Sequence, residues 1–303
     1  VQWNIFDGKR VLAIVPHQDD EVIGMGGQVA YAAMAAASLQ LVLVTDGAAD
    51  GGAKSLGGEW PCARFCDVAD HPNPELEAHD ATLRQRDDGT WWHCAEHAPP
   101  FEYVSDPERA PGFACPAWGK QRDFEFIEVA QALGVPRENI TLAYWDPAAP
   151  ERIKDGQTAR GGKPLTGEEQ AERYARVAAH YFAGFRPDIV ITMAPYEFLD
   201  APNDHWAIAH GVRQAASAAG IERVLYNHSG MLYRHIQSGG GPMGEALELP
   251  ALIWDIKRRA LRQYLRWNPA GGWFATAAHS VAPTFQALLS GAGRIEYISM
   301  CIE

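Results

Sequence analysis

Four acid–base side chains crowd into five positions near the start of the chain: residues 16–21 read P-H-Q-D-D-E, with His17, Asp19, Asp20 and Glu21 directly behind the apolar run Val11–Val15. Adjacent aspartates repel each other, so this much negative charge calls for a cation or a hydrogen-bonding network to compensate it. Taken alone, the cluster fits either a metal site or a charged turn that caps the following helix. A second segment shifts the balance. Residues 186–195 read R-P-D-I-V-I-T-M-A-P, another apolar run, and the loop behind it leads to Asn203, Asp204 and His205 at the start of a helical stretch. Two strand ends in one parallel sheet point to the same edge, where open α/β sheets bind ligands. His205 is therefore expected within reach of His17 and Asp20. A His-Asp-His set leaves one tetrahedral position for water, as catalytic rather than structural zinc sites do. The mixed N and O donors suit Zn2+, and iron or another divalent ion would also be compatible.

The elements that must hold these residues alternate along the chain. Val11–Val15 reads as a strand, a helix follows from about Met25, and Leu41–Val44 reads as a second strand. The alternation resumes with a helix at 121–133 closed by Gly134, a strand at 140–143, a helix at 167–183 and a strand at 188–192. A helix at 205–219 stopped by Gly220 and a strand at 223–226 complete it. This predicts an α/β fold, Rossmann-like in the broad sense, with a mostly parallel sheet covered by helices on both faces. Residues 48–120 break the rhythm with Gly-Gly pairs and repeated prolines and show no sustained period. So long a stretch is too much for a plain connection, so it reads as a loop or cap inserted into one domain spanning 1–303. It leaves the sheet just after Asp46 and Gly47, which predicts that it covers the cleft. Residues 238–250, with three consecutive glycines, read as a mobile surface loop.

Composition narrows the function classes. The 303 residues are 47% hydrophobic and 21% charged, an ordinary globular balance, and carry a formal charge of -12. That charge argues against nucleic acid and favours a neutral or cationic small molecule. Val22–Val44 contains no charged residue, but its change from an Ala/Gly-rich helical run to a short β-type run argues against a membrane span. No positively charged n-region with an apolar h-region opens the chain, which fits a cytoplasmic protein or a secreted one. Cys62, Cys66, Cys94 and Cys115 share the irregular stretch. They fit disulfides, free thiols, or a structural zinc shared with His93 and His97.

P-H-Q-D-D-E resembles the P-H-P-D-D-E signature of the PIG-L/LmbE-like N-deacetylases, and N-D-H at 203–205 resembles the end of their H-P-D-H signature. V-T-D-G at 44–47, R-D-F-E and A-L-G-V within 122–135, R-P-D-I-V at 186–190 and K-R-R-A-L at 257–261 follow in the family's order. The resemblance covers most of the chain outside the insertion and the tail beyond about Gln263. It implies that His17, Asp20 and His205 bind zinc and that Asp19 is the general base on the metal's water, whose pKa zinc lowers towards about 7. Two departures stand out. Gln18 replaces the second proline of the signature, and Pro202 stands where the family carries an oxyanion-stabilising histidine. Tyr196, His210 and His279 are candidate replacements for that histidine.

For substrate contact the expected residues are Asp46, at the end of the second strand, Arg122 and Asp204; Asp146 is a further candidate. An ion pair with Glu125, one turn on, is the alternative for Arg122. The expected activity is hydrolysis of an N-acyl group, most often N-acetyl, from an amino sugar or sugar-bearing metabolite. One alternative is zinc-dependent hydration of an unsaturated dicarboxylate, which needs converging arginines. The other is a non-catalytic carbohydrate- or metal-binding protein, which would have no use for a spare base beside the ligands.

Overall fold

The computed structural model describes residues 2–45, 84–85, 91–92, 116–153, 165–195, 203–228, 244–265, 267–268, 273–274 and 282–300. Most of the expected insertion lies outside these residues, as do Asp46, Tyr196, Pro202, His279 and the five cysteines. The side chains of Trp91, Trp92 and Trp118 are likewise not described.

Seven strands form the main sheet: β1 (Arg10–Val15), β2 (Ser38–Leu43), β3 (Ile140–Leu142), β4 (Ile189–Met193), β5 (Val224–His228), β6 (Glu245–Glu248) and β7 (Ile295–Ser299). Their order across the sheet is β3-β2-β1-β4-β5-β7-β6. The first five strands in that order are parallel, with Ala13 of β1 paired to Leu41 on one side and Ile191 on the other. Val11–Val15 are wholly buried, as befits a central parallel strand covered on both faces. Among the described residues seven helices accompany the sheet: α1 (Asp20–Ile23), α2 (Gly26–Ala35), α3 (Pro116–Ala132), α4 (Gly167–Phe185), α5 (Asp204–Ala219), α6 (Ala251–Gln263) and α7 (Ala282–Leu289). Right-handed crossovers that leave β1 towards opposite sides of the sheet put their helices on opposite faces. Accordingly α2 packs with α6 and α6 with α3, while α4 packs with α5.

Sequence makes the α4–α5 pair close. A capping box of Thr166 and Glu169 starts α4, and Asn203 caps α5 by accepting from the Trp206 N–H. At Gly211 an added Cβ would stand 2.6 Å from the Ala171 carbonyl oxygen, so only glycine allows this helix contact. The approach brings Tyr174 of α4 to the first turn of α5.

Two expectations are corrected. The third helix begins at Pro116 rather than near Gln121, inside the stretch assigned to the insertion. Residues 238–250 are not loop throughout, because Glu245–Glu248 forms β6 at the sheet's edge, antiparallel to β7. Of its four residues only Leu247 is buried, too short an alternation to stand out in an acidic, Gly-rich context.

A fully buried ion pair joins the tail to the first crossover. Lys257 Nζ of α6 lies 2.7 Å from Glu296 Oε1 of β7 and 3.3 Å from the Ile23 carbonyl oxygen of α1. The same carboxylate accepts from Gly27 N at 2.6 Å and Gln28 N at 3.2 Å, which satisfies free N–H groups at the start of α2. Gln28 Nε2 also donates to Asn227 of β5.

Candidate metal centre

The chain runs from β1 out to β2 and β3, then returns to the other side of β1 for β4 and β5. Between β1 and β4 the connections therefore diverge, and this topological switch point is where an open parallel sheet forms its binding crevice. His17 leaves the carboxyl end of β1, and β4 leads through its loop to His205 in the first turn of α5. Thr45 fixes the start of the first loop, its N–H and hydroxyl both donating to the Pro16 carbonyl oxygen, at 3.1 and 2.7 Å.

Asp19 adopts a left-handed backbone with φ 97°, then Asp20 opens α1. Such a conformation costs a non-glycine residue on the order of 1 kcal/mol and persists only where its surroundings enforce it. It sends the Asp20 carboxylate back over the turn, where Oδ2 accepts from the His17 N–H at 3.2 Å.

His17, Asp20 and His205 meet as the sequence predicts, each offering one ligand atom within 4.8 Å of the others. Asp20 Oδ2 stands 3.5 Å from His17 Nδ1 and 3.5 Å from His205 Nε2. Donors about 2.1 Å from a tetrahedral zinc stand roughly 3.4 Å apart, so the set fits such an ion. Burial pushes the Asp20 carboxyl up, but the His205 charge and the His17 hydrogen bond outweigh it and hold the carboxyl below its ordinary value.

The residues around this set hold it in place. His17 Nε2, the nitrogen turned from Asp20, lies 3.1 Å from Asp204 Oδ2, and Tyr174 donates to Asp204 Oδ1 at 2.9 Å. Through Nε2–H this is the carboxylate–histidine arrangement that fixes a metal ligand's tautomer and ring direction. Arg122, nearly buried, donates to the Gln18 carbonyl oxygen at 2.7 Å and lies 3.6 Å from Asp19 Oδ2. The Gln18 side chain turns inward to donate to Asp123 at 2.8 Å, and Tyr144 donates to the same oxygen.

Behind the turn, Tyr264 donates to Glu21 Oε1 at 2.8 Å. The Asp19 N–H is shared between Glu21 Oε2 at 2.9 Å and the Tyr264 hydroxyl at 3.0 Å. Burial, reinforced by the charge of Asp19, raises the Glu21 carboxyl well above its usual range. Burial and the Glu21 charge do the same to Tyr264, which keeps its proton and remains a donor.

Of the expected substrate residues, Arg122 and Asp204 lie at this centre, and Asp46 is outside the described residues. Arg122 reaches across to the β1 loop, and Asp204 touches His17. Asp146 sits in a turn, accepting from Ala148 N at 2.9 Å and the Tyr181 hydroxyl at 3.0 Å. His210 stacks on Trp206, their ring centroids 4.1 Å apart. Sequence reasoning missed Tyr174 and Tyr264, whose partners lie 30 and 243 residues away. The helical run that carries Tyr174 offered a weak signal, since a buried tyrosine needs a hydroxyl partner.

A Rossmann-like sheet with a His-Asp-His cluster at its switch point defines an α/β protein with a candidate divalent-metal centre. Residues 12–216 match the PIG-L family, described as GlcNAc-PI de-N-acetylase, and the chain belongs to that family. Among solved structures it is similar to a deacetylase–teicoplanin complex from the biosynthesis pathway of teicoplanin, at 15% identity and TM-score 0.55, covering 97% of this chain and 100% of that one. A second deacetylase complex of that pathway matches at 18% identity and TM-score 0.51, over 84% of this chain and 83% of that one. The A40926 pseudoaglycone deacetylase matches at 16% identity and TM-score 0.50, over 98% and 100%. No curated protein matches the chain by sequence. Among the described residues no helix is long and apolar enough to cross a membrane.

Proposed function

We propose that the chain is a zinc-dependent hydrolase that removes an N-acyl group, most often N-acetyl, from an amino sugar or a sugar-containing small molecule. The observation that carries this reading is the convergence of His17, Asp20 and His205 at the switch point, with Asp19 next in the chain and nearly buried. Zinc held by that set would supply an acidified water and a Lewis acid for the amide carbonyl. Asp19 takes the water's proton as the amide carbonyl is attacked, then returns it to the departing amine nitrogen. Arg122 steadies the Asp19 carboxylate from 3.6 Å, and Asp204 orients the His17 ring. Asp46, next in the chain after Thr45 at the sheet's carboxyl edge, keeps its role as the substrate contact. Membership of the GlcNAc-PI de-N-acetylase family supports an N-acyl amino sugar over other amides. The hydratase alternative depends on arginines converging on a dicarboxylate, whereas Arg122 is already engaged by Gln18 and Asp19.

The test is amine release from N-acetylglucosamine and its glycosides, with and without a chelator, together with metal analysis of two variants. Asp19→Asn is expected to keep zinc and lose on the order of 10² to 10⁴ in turnover. His205→Ala is expected to lose most of its zinc, because two ligands cannot close the site. Full zinc occupancy in His205→Ala, or near-normal turnover in Asp19→Asn, would sink the assignment of that residue.

A further inference from the structure

We propose that Tyr264, acting with Glu21, is a positioning residue that aims the base by fixing the peptide between Gln18 and Asp19; the inference rests on Asp19 being that base. Both polar groups of this peptide are held. Its carbonyl oxygen, on Gln18, accepts from Arg122 Nη2 at 2.7 Å. Its N–H, on Asp19, is received at 2.9 Å by Glu21 Oε2 and at 3.0 Å by the Tyr264 hydroxyl. Tyr264 closes the ring by donating to Glu21 Oε1 at 2.8 Å.

The need for such a clamp follows from the backbone. Asp19 has φ 97°, on the side of the map that side-chain-bearing residues avoid. A flip of the 18–19 peptide turns φ of Asp19 by roughly 180° and returns it to the ordinary region, so the strain itself favours the flip. The flip would point the N–H of Asp19 away from Glu21 and Tyr264 and turn the Gln18 oxygen from Arg122, releasing the guanidinium that stands 3.6 Å from Asp19 Oδ2 and so loosening the carboxylate it steadies. Arg122 and the Glu21–Tyr264 pair oppose it from the two ends of one peptide. Glu21 is wholly buried and Tyr264 is 1% exposed, so no bulk water replaces a lost partner, and hydrogen bonds in such a dry site weigh more than exposed ones.

Tyr264 lies beyond residue 216, where the family match ends. Its ring also packs edge-on against Phe285, with centroids 5.9 Å apart, so a plain packing role is the competing account. Tyr264→Phe separates the two, because it keeps the ring and removes only the hydroxyl.

The experiment uses the zinc-loaded full chain and amine release from N-acetylglucosamine. Tyr264→Phe is expected to lower kcat about tenfold with KM changed less than twofold and zinc content unchanged, since misdirecting a catalytic group costs rate rather than binding. In the Asp19→Asn background the same substitution is expected to change the residual rate less than twofold, because residues acting through one another are not additive. Amide exchange gives a readout independent of turnover. The Asp19 N–H should exchange slowly in the unaltered protein and at least tenfold faster in Tyr264→Phe. An unchanged kcat in Tyr264→Phe, an equal loss in both backgrounds, or fast exchange of the Asp19 amide in the unaltered protein overturns the proposal. Near-normal turnover of Asp19→Asn marks a different failure, that of the base assignment, and overturns the aiming role with it.

Discussion

Lys257→Met should destabilise the protein by about 3 kcal/mol, because it strands a buried carboxylate. Lys257 and Glu296 are both fully buried and stand 2.7 Å apart. Removing one partner of such a pair costs roughly 3–5 kcal/mol, most of it for leaving the other charge without compensation. The lower end applies because Glu296 keeps the N–H groups of Gly27 and Gln28. An unfolding entropy of about 2.1 cal/mol/K per residue gives roughly 0.6 kcal/mol/K for this length, so about 3 kcal/mol lowers Tm by about 5 °C. Glu296→Gln in the same chain removes the stranded charge while keeping an oxygen for the helix. The double variant should therefore recover about 1–2 kcal/mol relative to the sum of the singles. Thermal and urea unfolding of the three variants measures this. Additivity within about 0.5 kcal/mol, or a Lys257→Met protein that melts with the parent, would refute the claim that the charges compensate each other.

Asp204→Ala should lower zinc affinity by about 10–100-fold in a chelator competition while leaving the fold intact, since it frees the His17 ring; unchanged affinity would mean that the contact orients nothing. Burial holds the His228 imidazole down at about 4 against an ordinary 6.5. The unfolded chain then takes a proton that the folded one refuses, so this contribution is complete above pH 6.5 and shrinks as pH falls towards 4. By pH 5 the loss is on the order of 2 kcal/mol. His228→Gln should flatten that part of the profile in urea midpoints between pH 7.5 and 5, and an unchanged slope would contradict it.

What could be read from the sequence was local or periodic. Val11–Val15 and Ile189–Met193 announce buried strands by their apolar runs, broken only at Thr192, and chain direction then brings His17 and His205 to one edge before any contact is known. What the sequence did not show shares a cause. Arg122 was weighed as a substrate contact or a partner of Glu125, whereas its contact with Gln18 on the β1 loop spans 104 residues, farther than any spacing rule reaches. Lys257 stood out only as part of K-R-R-A-L and Tyr264 not at all, because their partners arrive from 39 and 243 residues off. Gln18, which replaces a proline of the family signature, is a buried donor to Asp123. β7 alternates buried and half-buried residues over only five positions, and β6 is shorter still. Long-range polar partners and short edge strands leave little trace in composition or period.

The antiparallel β7 and the α6 helix in front of it have a consequence for how divisible this protein is. The family's recognisable stretch ends at residue 216, inside α5, yet the start of α2 is completed by Glu296 and the turn at Asp19 by Tyr264. A chain cut at the family boundary would retain His17, Asp20 and His205 and lose the groups that hold two of its turns in shape. The unit that can be transplanted, shuffled or inherited intact is therefore larger than the motif-bearing segment. Changes in the tail, far from His17 and Asp20 in sequence, therefore reach the loop that carries them.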